Sequence, residues 1–277
     1  MQTICQSGLA RKMVVHSSYV VFDTETTGMP PGARIIEIGA IKVINNEIID
    51  TFELLLNPEC DIPFHVIRVH GIDNSMVANE PIAAAALPAF IDWVGDLPLV
   101  GHNVSFDAAM LASELWRADM RINKNNTFCT LSASRKLLER KSNSLSDLTR
   151  DLNLPNQVSH RALADAENTF YLLQHIEKEY SAEICWSKMG NGAPLSGFKP
   201  SQVTLPKRFH ALREAAENCS SLHIDYRLAN GRNVVIKIHP RLIYSSGKRT
   251  ILEAECDASG ITKTYLLDSI LSIDISQ

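Results

Sequence analysis

Two carboxylates stand two positions apart at the end of an apolar run: Tyr19-Val20-Val21-Phe22 is followed by Asp23-Thr24-Glu25. On a strand that spacing puts Asp23 and Glu25 on one face. Like charges held side by side repel, and a divalent cation between them is the simplest remedy. Thr26-Thr27-Gly28, next in the chain, can present backbone N–H groups to a phosphate or nucleotide. Alone, such a pair reads as a solvated strand end. Two further segments change that reading. Gly101-His102-Asn103-Val104-Ser105-Phe106-Asp107 follows a second apolar run, Leu97-Pro98-Leu99-Val100, and His160 stands five residues before Asp165 at the mouth of a helix. Four acids and a histidine in three segments form a two-metal constellation.

The elements that must position these groups are legible from periodicity. Tyr19–Glu25, Glu37–Val43 and Thr51–Leu56 read as strands of an antiparallel meander, with turns at Gly28 to Gly32 and at Asn45-Asn46. An alanine-rich helix is expected over Pro81–Trp93, shortened or bent at Pro88. Leu99–Gly101 reads as a buried strand and Ser105–Met120 as a helix with Met110, Leu111 and Leu115 inward. Thr127–Thr130 reads as a fifth strand, and Leu131–Leu138, Leu145–Leu152 and Arg161–Tyr180 as helices. Ser144 is the expected N-cap of the middle one, with Asp147 as its capping-box partner. Strands followed by alternating helices and strands imply a mixed α/β sheet flanked by helices.

Asp-Thr-Glu-Thr-Thr-Gly, then His-Asn-Val-Ser-Phe-Asp, then His160 with Asp165, resembles the histidine subtype of the DEDD (DnaQ-like) 3′–5′ exonucleases. Thr27-Gly28-Met29, Ile35–Ala40, Val69-His70-Gly71-Ile72 and Phe128–Leu131 further resemble the proofreading exonuclease of bacterial replicative polymerases. The resemblance spans residues 19 to 180. It implies a ribonuclease-H-like fold with a five-stranded mixed sheet. It also implies hydrolysis of phosphodiesters from a 3′ end with two Mg2+ or Mn2+ ions. Asp23 would bridge both ions, Glu25 and Asp165 would help hold one, and Asp107 would support the other. His160, ordinarily titrating near 6.5, would act as general base. Thr26, Gly28 and Met29 would meet the terminal nucleotide, Phe106 would stack on a base, and Asn103 would position a phosphate or the neighbouring acid. His70 and His102 read as structural. Motifs closer to proofreading enzymes than to oligoribonucleases favour DNA 3′ ends over RNA. An RNA-trimming exonuclease is the second reading. Any proofreading or repair role needs a separate partner.

Composition sets the bounds. Apolar content of 45% and charged content of 21% suit a soluble globular protein. No long apolar run suggests a membrane span, and residues 1–18 read as a tail without a signal peptide, so a cytoplasmic setting is expected. The six cysteines form no C-x-x-C pair, which argues against a zinc site. Residues 1–180 carry 15 basic against 22 acidic side chains, and residues 181–277 carry 12 against 9. Bound cations would offset the first imbalance, and the second could hold a phosphate backbone. Residues 181–206, rich in Gly and Pro from 188 onward, have a linker's composition. Residues 207–277 read as a short helix and a small β-rich domain, with Asn230-Gly231 marking a hairpin. Its Thr264–Ile270 segment resembles the end of a WYL-type domain, without the flanking basic residues usual there. A third reading follows, a nucleic-acid-binding regulatory module in which this domain does the work.

Overall fold

A computed structural model describes residues 15–28, 33–156, 158, 160–218, 220–246 and 248–274. Strands β1 (Ser18–Thr26), β2 (Ile35–Ile44) and β3 (Glu47–Leu55) form the expected meander, with both neighbouring pairs antiparallel. Asn45 and Asn46 take φ of 51° and 64°, the left-handed pair that a two-residue hairpin loop requires. Strands β4 (Leu99–Gly101) and β5 (Asn126–Cys129) join in parallel beside β1. The five expected strands gain a sixth, β6 (Ala193–Pro194), so the order is β3-β2-β1-β4-β5-β6.

Helices cover both faces. Between β3 and β4 run α1 (Phe64–His70), α2 (Asn74–Val77) and α3 (Ala83–Val94). Helix α3 continues through Pro88 rather than stopping there. Helix α4 (Ser105–Arg117) ends three residues earlier than its apolar stripe suggested, and Met110, Leu111 and Leu115 are all buried. After β5 come α5 (Thr130–Leu137), α6 (Leu145–Asp151), α7 (Ala162–Tyr180) and α8 (Ala182–Met189). Ser144 caps α6 as expected, its hydroxyl oxygen accepting from the Asp147 N–H at 3.2 Å.

Alternation along β1 decides which helix meets which residue. Val20 and Phe22 enter a core with Leu87, Phe90 and residues of α4, whereas Tyr19 and Val21 enter the opposite core with Phe170, Leu173 and Ile176 of α7. By the same alternation Asp23 and Glu25 share the α7 face, and Thr24 faces α4.

The stretch with linker composition carries structure: β6 completes the first sheet, Leu195 is fully buried, and β7 (Ser201–Gln202) pairs with the second sheet. That sheet follows α9 (His210–Glu217) and contains β8 (Leu222–Arg227), β9 (Asn233–Ser246), β10 (Arg249–Cys256), β11 (Ile261–Leu266) and β12 (Ile270–Asp274), ordered β11-β10-β9-β8-β12. It has its own core around Leu212, Ile238, Leu252 and Tyr265. Among the described residues no helix is long and apolar enough to cross a membrane.

Candidate active site

The acids converge at the end of β1 because three elements deliver them there. Asp23, Glu25 and Asp165 each offer a carboxylate oxygen within 4.8 Å of the others. Asp165 lies in the first turn of α7 and arrives from the face that Asp23 and Glu25 share. Asp107 lies in the first turn of α4, nearly fully buried, and arrives from the other face. Its Oδ1 accepts from the Thr24 N–H at 3.0 Å and the Thr24 hydroxyl at 2.7 Å. Thr24 thereby fixes Asp107 to the residue between the two β1 acids.

Two residues absent from the sequence-based site make this convergence possible. Gly39 pairs with Asp23 across the sheet, and a Cβ built there would lie 1.9 Å from the Leu163 N of α7. Glycine is what lets the helix backbone touch the sheet beside the acids. Glu37, fully buried, pairs with Glu25. It accepts from Arg161 Nε at 2.9 Å and from the Ala162 N–H at 2.8 Å. A buried strand carboxylate thus holds the first residues of α7 and one of the N–H groups that the helix leaves open. Both carried a signal: a charge inside Ile35–Ala40 and a glycine inside the same strand.

His160 lies at the bend before α7, exposed, with φ of 62°. Its backbone N–H donates to Asp165 Oδ2 at 2.9 Å, so the residue that would move a proton is tethered through its main chain to the acid cluster. Thr26 is buried and its hydroxyl donates to the Gly28 carbonyl at 2.7 Å, where Gly28 has φ of 151°. The loop is closed at its base by Thr27 N–H to the Arg34 carbonyl and Arg34 N–H to Thr27 Oγ1, both at 2.9 Å. Met29 falls outside the described residues. Asn103 is exposed in a left-handed turn, and Phe106 packs against the core on the α4 side. His102 spans Thr130 Oγ1 at 3.0 Å and the Asn143 carbonyl at 2.8 Å, and burial lowers its pKa to about 4. Nδ1 of the buried His70 accepts from the Ile72 N–H at 3.0 Å. Both geometries fit structural roles.

The electrostatics ask for positive charge. Burial, then Asp107, Asp165, Glu25 and Glu37, hold the Asp23 carboxyl well above the usual range. Burial and the same neighbours push Glu25 up to about 8, against the pull of Arg161. Burial lifts Asp107 to about 7 despite the opposing Thr24 hydrogen bonds. Asp165 is raised too, mainly by burial. Oxygen donors alone, clustered and short of compensation, suit hard divalent cations. The direction of the pH effect follows. A carboxyl raised in the folded state contributes stability that is full below its ordinary pKa and is lost as pH rises through about 8. Metal-free protein is therefore expected to melt lower at about pH 8.5 than at about pH 5.5, with saturating Mn2+ abolishing much of that fall. A metal-induced gain of equal size at both pH values would refute this.

Known proteins resemble this chain in sequence and in fold. A profile of the exonuclease family (RNase_T) matches residues 20–173. The DNA polymerase III PolC-type of Bacillus cereus is 35% identical over 205 residues, covering 71% of this chain but only 14% of that polymerase. A structure of exonuclease X in complex with 5′ overhanging duplex DNA is 28% identical with a TM-score of 0.50, covering 62% of this chain and 99% of that one. A structure of exonuclease I has a TM-score of 0.57 at 15% identity, covers 86% of this chain and 55% of that one, and shares the fold.

Proposed function

The chain belongs to the exonuclease family, and we propose that it removes 5′-mononucleotides from the 3′ end of single-stranded DNA. One observation carries the reading: three carboxylates within 4.8 Å at the strand end, with the buried Asp107 behind them. Asp23, Glu25 and Asp165 would hold the divalent ions, with Asp107 supporting them from the opposite face. Bound there, two such ions supply Lewis acidity toward the phosphate and acidify a water.

The protein's own groups supply the rest. The Thr26–Gly28 arm faces the terminal nucleotide and, with Arg34 fixing its return, limits where a 3′ end can lie. His160 takes the proton from the attacking water, and its exposure lets the proton pass to solvent. Its main-chain bond to Asp165 keeps the backbone of residue 160 beside the acids. This chemistry resides in residues 19–180, with residues 207–277 as an accessory domain.

The preference for DNA rests on the likeness to PolC-type relatives, and partnership with a polymerase or repair protein is part of the same proposal. The test is hydrolysis of 5′-labelled single-stranded DNA and its RNA counterpart with Mg2+ or Mn2+. A ladder shortening from the 3′ end of DNA, abolished by chelator, is the expected result, and shortening of RNA alone would move the protein to RNA trimming. In that assay His160→Ala is expected to cut turnover by about 10²–10⁴-fold. Mn2+ affinity should hold, because only the main chain of residue 160 bonds Asp165. His160→Asn, which tolerates the left-handed backbone, controls for strain at this position. Wild-type turnover in both variants would remove the imidazole from the mechanism.

A further inference from the structure

Four charges with nearly buried side chains link the second sheet to Arg34 and Thr27. Arg34, where the loop returns, donates through Nε to Glu114 Oε1 at 2.8 Å and through Nη1 to the Pro58 carbonyl at 3.0 Å. Glu114 Oε1 also accepts the Ile35 N–H at 3.1 Å, so one carboxylate oxygen holds the start of β2 twice. Arg117, one turn along α4, lies 3.7 Å from that same oxygen through Nη1. It is held off by Glu253 of β10, whose two oxygens accept Arg117 Nε at 3.1 and 3.0 Å. The Tyr244 hydroxyl of β9 donates to Glu253 at 2.7 Å. Glu114 is 1% exposed, Glu253 3% and Arg34 7%. Two arginines and two glutamates balance.

We propose that Glu253 is a positioning residue for the exonuclease site, acting through Arg117, Glu114 and Arg34 on Thr27. This rests on the reading of Thr26 and Gly28, on either side of Thr27, as contacts of the 3′ end. Without the Glu253 charge, Arg117 is a buried cation whose nearest remaining carboxylate oxygen is the one that Arg34 uses. Buried ions do not stay unpaired, so Arg117 moves onto Glu114, takes up its Oε2, which has no hydrogen-bond partner, and turns the carboxylate whose Oε1 holds Arg34 and Ile35. Arg34 and Thr27 bond each other in both directions, and loosening of Arg34 frees Thr27. The β1 acids stay, because β1 pairs with β2 along their whole length and Thr24 still holds Asp107.

The test compares full-length wild type, Glu253→Gln and the double variant Glu253→Gln/Arg117→Met on a single-stranded oligodeoxynucleotide with Mn2+. Amide exchange is followed at Thr27 and Arg34. Glu253→Gln is expected to raise KM about tenfold, the scale of a charge-assisted hydrogen bond, with kcat little changed. Exchange at both amides should quicken. The double variant removes the competing cation and should restore both readouts. Should Glu253→Gln fold poorly, Glu253→Asp, which keeps the charge but draws it back from Arg117, should shift KM and exchange the same way by less. A fall in kcat at constant KM, unchanged amide exchange, or no rescue would overturn the relay. Absence of any wild-type cleavage would instead overturn the proposed substrate, and amide exchange would still decide the relay.

Discussion

Asp23→Asn is expected to abolish cleavage while leaving the metal-free fold at least as stable as that of the wild type. Asp23 feels every other acid of the cluster, and burial and those neighbours hold its carboxyl far above the usual range. An amide of the same shape keeps the packing and removes the charge the site is built to neutralise. Activity should fall by about a thousandfold or more, since the electrostatic stabilisation supplied by the ions amounts to several kcal/mol. Thermal melts should separate the two effects. In the metal-free state at about pH 8.5 the variant should match or exceed the wild type, and Mn2+ should stabilise it far less. Such a trade of stability for function is expected where like charges are gathered for chemistry. A variant that retains Mn2+ stabilisation and activity would show that Glu25 and Asp165 suffice, and the central role given to Asp23 would be lost.

Local signals made much of this fold legible and long-range ones did not. The continuous apolar runs Tyr19–Phe22 and Leu99–Val100 located the two strands that bear or precede the site, and the partner of the first follows from the short meander. The four acids and His160 were visible because their types and order are what metal chemistry needs. Glu37 and Gly39 carried only an ambiguous signal, although they decide where α7 sits. Their roles depend on a contact across more than a hundred residues, and a strand glycine or a strand glutamate has many other uses. The stretch from 188 to 206 reads as a connector because Gly and Pro break periodicity. Its folding follows from edge pairing, Ala193–Pro194 on β5 and Ser201–Gln202 on β9, which no local pattern encodes. The relay through Arg117 and Glu253 was equally invisible: each residue alone looks like surface charge, and only burial reveals the pair.

Gly39→Ala tests the claim that close approach of α7 builds the site. The added methyl would meet the Leu163 N at 1.9 Å, the Ala162 C at 2.1 Å and the Leu163 Cα at 2.4 Å. All three atoms are backbone, so no rotamer change relieves the clash and the helix must move by about 1.5 Å to reach ordinary contact. Movement pulls the Ala162 N–H from Glu37 and Asp165 from Asp23 and Glu25 together, because all ride on the same first turn. Overpacking of this kind costs about 3 kcal/mol. A displacement near 1 Å at reacting groups costs about a hundredfold in rate. Gly101→Ala provides the contrast, since its methyl meets Val104 side-chain atoms at 3.1 and 3.2 Å and the Phe22 carbonyl at 3.3 Å. Val104 can give way by a few tenths of an ångström, so Gly101→Ala should stay within about tenfold of wild-type activity. Melting temperature, Mn2+ affinity and cleavage rate measured on both variants decide the matter. Loss of all three in Gly39→Ala and not in Gly101→Ala places the origin of the site in the glycine that lets a helix lie on a strand. Equal behaviour of the two would mean that the acids find their geometry without that contact.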